Sequence, residues 1–362
     1  MVSLKFWILT FRQVADNVAS ASLLDSLDTI AENPKPSPRS NESNPGPLPT
    51  DLSVSQTPPP DGLNPSSQFT PAPLTPGQRF RQAVFAEFPL QIVGTIHALS
   101  ALQAQRAGFR AIYLSGAGVA NASHALPDLG ITHLEDVLED ARRITLICDL
   151  PLLVDIDTGW GTEGTIARTI RELERVDVAA VHIEDQVSAK RCGHRPGKQV
   201  VDTLEMAMRI QAAVDARRDP NFVIMARTDA VAVEGLSAAI TRCQRYVQAG
   251  ADMIFAEALT SLDDYKRFTS EVPVPVLANM TEFGKSPLLD IDTLRSVGIR
   301  MVLYPLTAFR AMNEAARFTY ETIRRKGTQA DLIKLLQTRD ELYDLLGYLQ
   351  AEQESHLGRS SI

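Results

Sequence analysis

From residue 80 onward this chain alternates short apolar runs with longer amphipathic stretches, and that alternation leaves few folds open to it. The runs read FPLQIVGTI, AIYLSG, LPLLVDID, VAAVHIED, FVIMARTD, DMIFAEA, VPVLANMT and MVLYPLT, eight in all. Between them lie stretches such as TEGTIARTIRELERV and GLSAAITRCQRYVQAG, whose apolar residues recur at helical spacing. Eight strands with intervening helices over roughly 250 residues predict a (β/α)8 barrel, with an open doubly wound sheet as the alternative. The run endings favour the barrel. Ser115, Asp155 and Asp157, Glu184 and Asp185, Arg227 and Asp229, Glu257, Asn279 and Thr281, and Tyr304 each follow an apolar interior. In a barrel such strand ends converge on the face where chemistry is done.

The flanks read differently. Residues 1–79 form an N-terminal extension whose 33–79 portion is dense in Pro, Ser and Asn and is read as a disordered linker. The barrel is expected over 80–325. Residues 326–362 form a C-terminal helical segment in which Leu332, Leu335, Leu336, Leu342 and Leu345 make an apolar face that calls for burial, against a neighbouring subunit or the chain's own barrel. A formal charge of −8 argues against a nucleic-acid partner. No apolar run approaches the roughly 20 residues of a membrane-spanning helix, so no membrane partner is expected. Cys148, Cys192 and Cys243 lie far apart, which suggests neither a disulfide framework nor a structural zinc site and fits a reducing compartment. Cytoplasmic location follows as the expectation, with mitochondrial location as the alternative if the extension is a transit peptide.

Chemistry concentrates in a few motifs. LLVDIDTGWG carries Asp155 and Asp157, two residues apart and so on one face of a strand, where both carboxylates can address a hard cation such as Mg²⁺. Asp128, in the PDLG turn, is a further metal partner or a turn former. Glu184 and Asp185 reach the cation through water or serve as structural ion pairs. Ser115, Gly116 and Ala117 follow the second strand with small residues whose backbone N–H groups suit a carboxylate. Arg227, Arg310 and Arg339 supply planar donors for a substrate with several carboxylates. In AKRCGH, Cys192 is flanked by Lys190, Arg191 and His194, whose positive charge lowers a thiol pKa, while Gly193 keeps the loop free to close. These residues alone leave general acid and nucleophile both open for Cys192.

KRCGH, with VDIDTGWG, HIEDQ, IMARTD, FAEA, ANMTEFG and YPLTAFRAMN in order, makes residues 80–350 resemble the 2-methylisocitrate lyases of the isocitrate lyase and phosphoenolpyruvate mutase superfamily. The resemblance implies a barrel whose C-terminal helices are exchanged within a homotetramer, and magnesium-dependent cleavage of a tricarboxylate, 2-methylisocitrate, to pyruvate and succinate in propionate breakdown by the 2-methylcitrate cycle. It places Asp155 and Asp157 on the metal and makes Cys192 the acid that protonates the succinate carbanion. It sets Ser115, Gly116, Ala117, Cys192, Gly193, Arg227, Glu257, Asn279, Thr281, Arg310 and Arg339 on the substrate. Lys190 and His194 join the catalytic loop, and Tyr113 is the expected base. Phe255, Leu303 and Pro305 match the methyl pocket. Isocitrate cleavage and oxaloacetate-type hydrolysis or decarboxylation are the alternatives on the same barrel. Ala117 stands where relatives commonly have glycine.

Overall fold

The computed structural model describes residues 73–191, 193 and 197–359; the extension before residue 73, Cys192 and His194 lie outside the described residues. The eight runs form eight parallel strands: β1 (Leu90–Gly94), β2 (Ala111–Leu114), β3 (Leu152–Asp155), β4 (Ala180–Glu184), β5 (Val223–Thr228), β6 (Met253–Ala256), β7 (Val276–Asn279) and β8 (Met301–Tyr304). Each pairs with its neighbour in sequence, and β8 returns to β1 with Leu303 opposite Ile92. The sheet is therefore a closed (β/α)8 barrel, and the open-sheet alternative falls away.

Outside the strands lie α2 (Ala98–Arg106), α3 (Leu134–Thr145), α4 (Glu163–Arg175), α5 (Thr203–Ala216), α6 (Leu236–Gln248), α7 (Leu262–Glu271), α8 (Ile291–Ser296) and α9 (Thr307–Lys326), preceded by α1 (Pro76–Ala86). Two cores result. Ile112, Val154, Val181, Ile224 and Ile254 point outward against helix residues such as Ile144, Ile170 and Ile210. Ile92, Leu153, Val223, Met225, Met253, Leu277, Met301 and Leu303 fill the barrel.

Period-two alternation positions the site. On β5 the inward column runs Val223, Met225, Arg227; on β6 and the residue beyond it, Met253, Phe255, Glu257; on β7, Leu277 and Asn279. Lower layers pack the barrel, and the top layer opens onto a cavity.

Helix α1 plugs the opposite end, with Phe80, Ala83 and Val84 packed into the barrel core. It starts at Pro76, four residues ahead of the boundary read at 80. Thr75 caps it: its hydroxyl accepts from the Gln78 N–H at 3.2 Å, and the Gln78 side chain accepts from the Thr75 N–H at 2.9 Å. This capping box lay inside a stretch whose Pro and Ser content masked it.

The C-terminal segment comprises a 3₁₀ turn (Ala330–Leu335), α10 (Arg339–Leu346) and α11 (Tyr348–Arg359). Leu332 is buried, whereas Ile333, Leu335, Leu336, Leu346 and Leu349 are exposed. Among the described residues no helix is long and apolar enough to cross a membrane.

A polar network braces the end of β4. The Tyr246 hydroxyl donates to Asp185 at 2.9 Å, and Arg242 donates to the Val201 carbonyl (2.8 Å), to Tyr246 (3.2 Å) and to Glu234 (2.7 Å). The hydrogen bond from Arg242 lowers the Glu234 pKa. Stabilisation from a depressed carboxyl is present above its unfolded pKa and is lost as pH falls through the folded one. Glu234→Gln is expected to cost about 1 kcal/mol at neutral pH and close to nothing near pH 3. Urea unfolding at the two pH values checks this, and an equal cost at both would sink it.

Candidate active site

The strand tops enclose a cavity of about 80 Å³. Tyr113, Ser115, Ala117, Asp128, Asp155, Lys190, Gly193, Arg227, Phe255, Glu257, Asn279, Thr281, Leu303 and Pro305 line it, so most of the residues singled out from the sequence meet there. Glu184, Arg191 and Leu306 join them.

Asp155 ends β3 and is hydrogen-bonded on both oxygens, by the N–H of Gly116 (3.1 Å) and of Asp157 (3.0 Å). Burial pushes its carboxyl up, but neighbouring His182, Lys190 and Arg227 outweigh that and bring it down to about 2. Asp157 does not share a strand face with it, because β3 stops at Asp155 and Asp157 takes a left-handed backbone, φ 47°. The turn, rather than strand periodicity, brings the two carboxylates together: a Cβ on Gly116 would lie 3.1 Å from Asp157 Oδ1 and 3.2 Å from Asp155 Oδ2. A side chain there would press on both carboxylates. The Gly116 N–H donates to Asp155.

Lys190 Nζ bridges Asp157 (2.5 Å) and Asp128 (2.7 Å) with its side chain 5 % exposed. Burial lowers its pKa, yet Asp157, Asp155, Glu184 and Asp128 together hold it above the ordinary value. Lys190 is therefore a fixed cation, paired with Asp157 and Asp128.

Tyr113 and His182 form a second layer. The Tyr113 hydroxyl lies 3.0 Å from His182 Nε2 and 3.4 Å from Asp155 Oδ2, and the two rings stack. Burial and the charge of Asp155 raise the Tyr113 pKa well above its usual value. Its hydroxyl donates toward Asp155. Burial also brings His182 down to about 4, leaving a neutral ring. Sequence reading missed His182, although its place two residues before Glu184 on one strand puts both inside.

Arg227 stands between three carboxylates, Asp229 (3.0 Å), Glu184 (3.3 Å) and Glu257 (3.3 Å), over the ring of Phe255. Asn279 donates to Glu257 at 3.3 Å. Burial raises the Glu184 pKa against the pull of Arg227, and among the described residues Glu184 Oε1 has no hydrogen-bond partner. Asp185 turns away from the cavity, accepting from Thr228 (2.7 Å), Tyr246 and the Asp229 N–H (2.8 Å), and is structural.

Two arginines are elsewhere. Arg310 lies 3.5 Å from Glu282 and lines a separate cleft with His97, Asn121 and Phe309. Arg339 opens α10 and is exposed. Adjacency to a helix in sequence could not tell which way either would point.

Asp128, Asp155, Glu184 and Glu257 stand against Lys190, Arg191 and Arg227 in the cavity wall. A site already rich in carboxylates takes a polyanion only with added positive charge, and hard oxygen donors fit Mg²⁺. Among the described residues no group of three or more acidic, His or Cys side chains is placed to hold a metal ion.

Residues 83–324 match the family described as phosphoenolpyruvate phosphomutase. The 2-methylisocitrate lyase of Shewanella oneidensis is 62 % identical over 268 residues, 74 % of this chain and 92 % of that protein. Among solved structures, 2,3-dimethylmalate lyase superposes with a TM-score of 0.73 at 34 % identity, covering 79 % of this chain and 96 % of that one. A phosphonopyruvate hydrolase in complex with oxalate and Mg²⁺ gives 0.69 at 29 % identity, covering 77 % and 98 %.

Proposed function

The chain belongs to the phosphoenolpyruvate phosphomutase family and is a carbon–carbon lyase; we propose that it cleaves 2-methylisocitrate to pyruvate and succinate, with magnesium as cofactor and Cys192 as general acid. One observation carries the substrate assignment. Phe255, Leu303 and Pro305 line the same cavity as Arg227 and Asn279, with the Arg227 guanidinium over the ring of Phe255. Apolar side chains interleaved with carboxylate donors suit a tricarboxylate bearing one methyl group.

Arg227 holds a substrate carboxylate as a charged planar donor, with Asn279, Thr281 and Ser115 fixing its orientation. Asp155 and Asp157 would hold magnesium, with Asp128 supporting them through Lys190, and the ion would supply positive charge for the oxyanion that grows on the pyruvate half. The substrate hydroxyl passes its proton to a carboxylate of the cavity wall, the adjacent C–C bond breaks, and its electron pair passes to the succinate carbon. Cys192 then donates the Sγ proton to that carbon. Its neighbour Gly193 lies hard against the site: a Cβ there would sit 2.6 Å from both Arg227 Nη2 and Glu257 Cγ. Tyr113 keeps its proton beside Asp155 and orients that carboxylate.

The assembly we infer is a homotetramer that exchanges its C-terminal helices, which would cover the exposed Ile333, Leu335, Leu336, Leu346 and Leu349. Its compartment is the cytoplasm, or the mitochondrion if the extension is a transit peptide.

The test supplies 2-methylisocitrate and isocitrate separately, with and without Mg²⁺. Pyruvate and succinate from the methylated acid, dependent on the metal, are expected, with isocitrate slower. One methyl contributes about 1–3 kcal/mol, so the expected preference is roughly 10- to 200-fold. Faster glyoxylate release from isocitrate would overturn the methyl-pocket assignment.

A further inference from the structure

Gln186 sits two residues beyond β4 and is 1 % exposed. A buried carboxamide needs partners for both its donor and its acceptor. Gln186 finds both on a single residue. Its Nε2 donates to the Arg191 carbonyl at 2.9 Å, and its Oε1 accepts from the Arg191 N–H at 3.0 Å.

We propose that Gln186 is the positioning residue for the general acid, its side chain clamping the backbone of Arg191, the residue bonded directly to Cys192. The proposal rests on the reading of Cys192 as the acid.

The surroundings show why a clamp is needed at this point. The loop that carries KRCGH leaves and returns through a short antiparallel ribbon: Val187 N–H donates to the Gln199 carbonyl (3.1 Å), Val201 N–H donates to the Asp185 carbonyl (2.9 Å), and Gln186 bridges Val200. Arg209 ties the outgoing leg by donating to the Gln186 carbonyl at 2.9 Å. On the returning leg, Lys198 pairs with Asp229 at 2.6 Å with both side chains buried. These ties fix the base of the loop. Lys190 and the Gln186 clamp are ties farther out among the described residues, and they fall on the two residues before Cys192. The lysine tie is a charge contact that tolerates rotation. The amide tie is bidentate and planar, so it sets the orientation of the Arg191 peptide as well as its place. A hydrophobic side chain gives neither bond. A carboxylate accepts the Arg191 N–H but turns a second oxygen toward the Arg191 carbonyl.

Gln186→Leu and the isosteric Gln186→Glu test the assignment in the full-length protein with Mg²⁺ and 2-methylisocitrate. A loss of proton-transfer geometry with substrate anchors intact is expected to lower kcat by about tenfold or more while KM stays within about threefold. The melting temperature of Gln186→Glu should remain within a few degrees of the parent. Alkylation of Cys192 by iodoacetamide, read by mass spectrometry, gives a second readout that needs no turnover. Pyruvate, succinate and Mg²⁺ should protect the thiol in the parent protein and protect it at least threefold less in both variants. Unchanged kcat, or a kcat and KM that move only in step with lost thermal stability, overturns the proposal; so does unaltered protection. If Cys192→Ser keeps full activity while the protection pattern still depends on Gln186, the acid assignment fails and the clamp on the loop stands.

Discussion

Cys192→Ser is expected to slow pyruvate and succinate formation by about 10²- to 10⁴-fold, the range that loss of a positioned general acid produces. A serine hydroxyl is far less acidic than a thiol whose ordinary pKa is about 8.5, so it cannot quench the carbanion at neutral pH. The variant should still bind Mg²⁺ and product, because the groups proposed to hold them, Asp155, Arg227 and Asn279, lie on β3, β5 and β7. Retained thermal stabilisation by Mg²⁺ with pyruvate and succinate, measured beside turnover, separates loss of chemistry from loss of binding. Activity within tenfold of the parent would remove the thiol from the mechanism.

Asp155→Asn should be comparably severe for a different reason. It preserves shape and can still accept one of the two N–H bonds that Gly116 and Asp157 direct at the carboxylate. What it loses is a charge held ionised far below neutral pH. Metal-derived stabilisation of a developing oxyanion is worth several kcal/mol, so a drop of about 10²- to 10⁴-fold in kcat is expected, with a raised Mg²⁺ requirement. Titrating activity against Mg²⁺ in parent and variant decides it. An unchanged magnesium dependence would show that Asp155 serves the fold and not the ion.

The barrel was legible because its signal is periodic and repeated: all eight apolar runs contain a strand, and their polar ends gather on one face. Side-chain direction was legible on the strands, as for Arg227 and Asn279, and one residue beyond β6 at Glu257. It failed where the backbone left the extended state. Asp157 reaches its neighbour through a left-handed turn, a backbone state the run DIDTG does not announce. The Tyr113 environment was hidden for another reason. Only the folded barrel sets Asp155 and a neutral His182 beside that phenol, and residues 42 and 69 positions apart in the chain leave no local trace of meeting. Arg310 and Arg339 were chosen for chemistry suited to a polyanion, but facing is a property of helix packing, and neither lines the cavity within the described chain.

The inward columns of β5 and β6 have a consequence for how such a protein can change over generations. Val223 and Met225 lie beneath Arg227, and Met253 and Phe255 beneath Glu257. The lowest rungs close the barrel, and the uppermost decides what is gripped. Mutations at the rim are thus free to explore new substrates while the rungs below keep the chain folded. Heritable variation in chemistry and heritable variation in foldedness fall on different residues of the same strand, and that separation lets one scaffold diversify its catalysis without first having to survive unfolding.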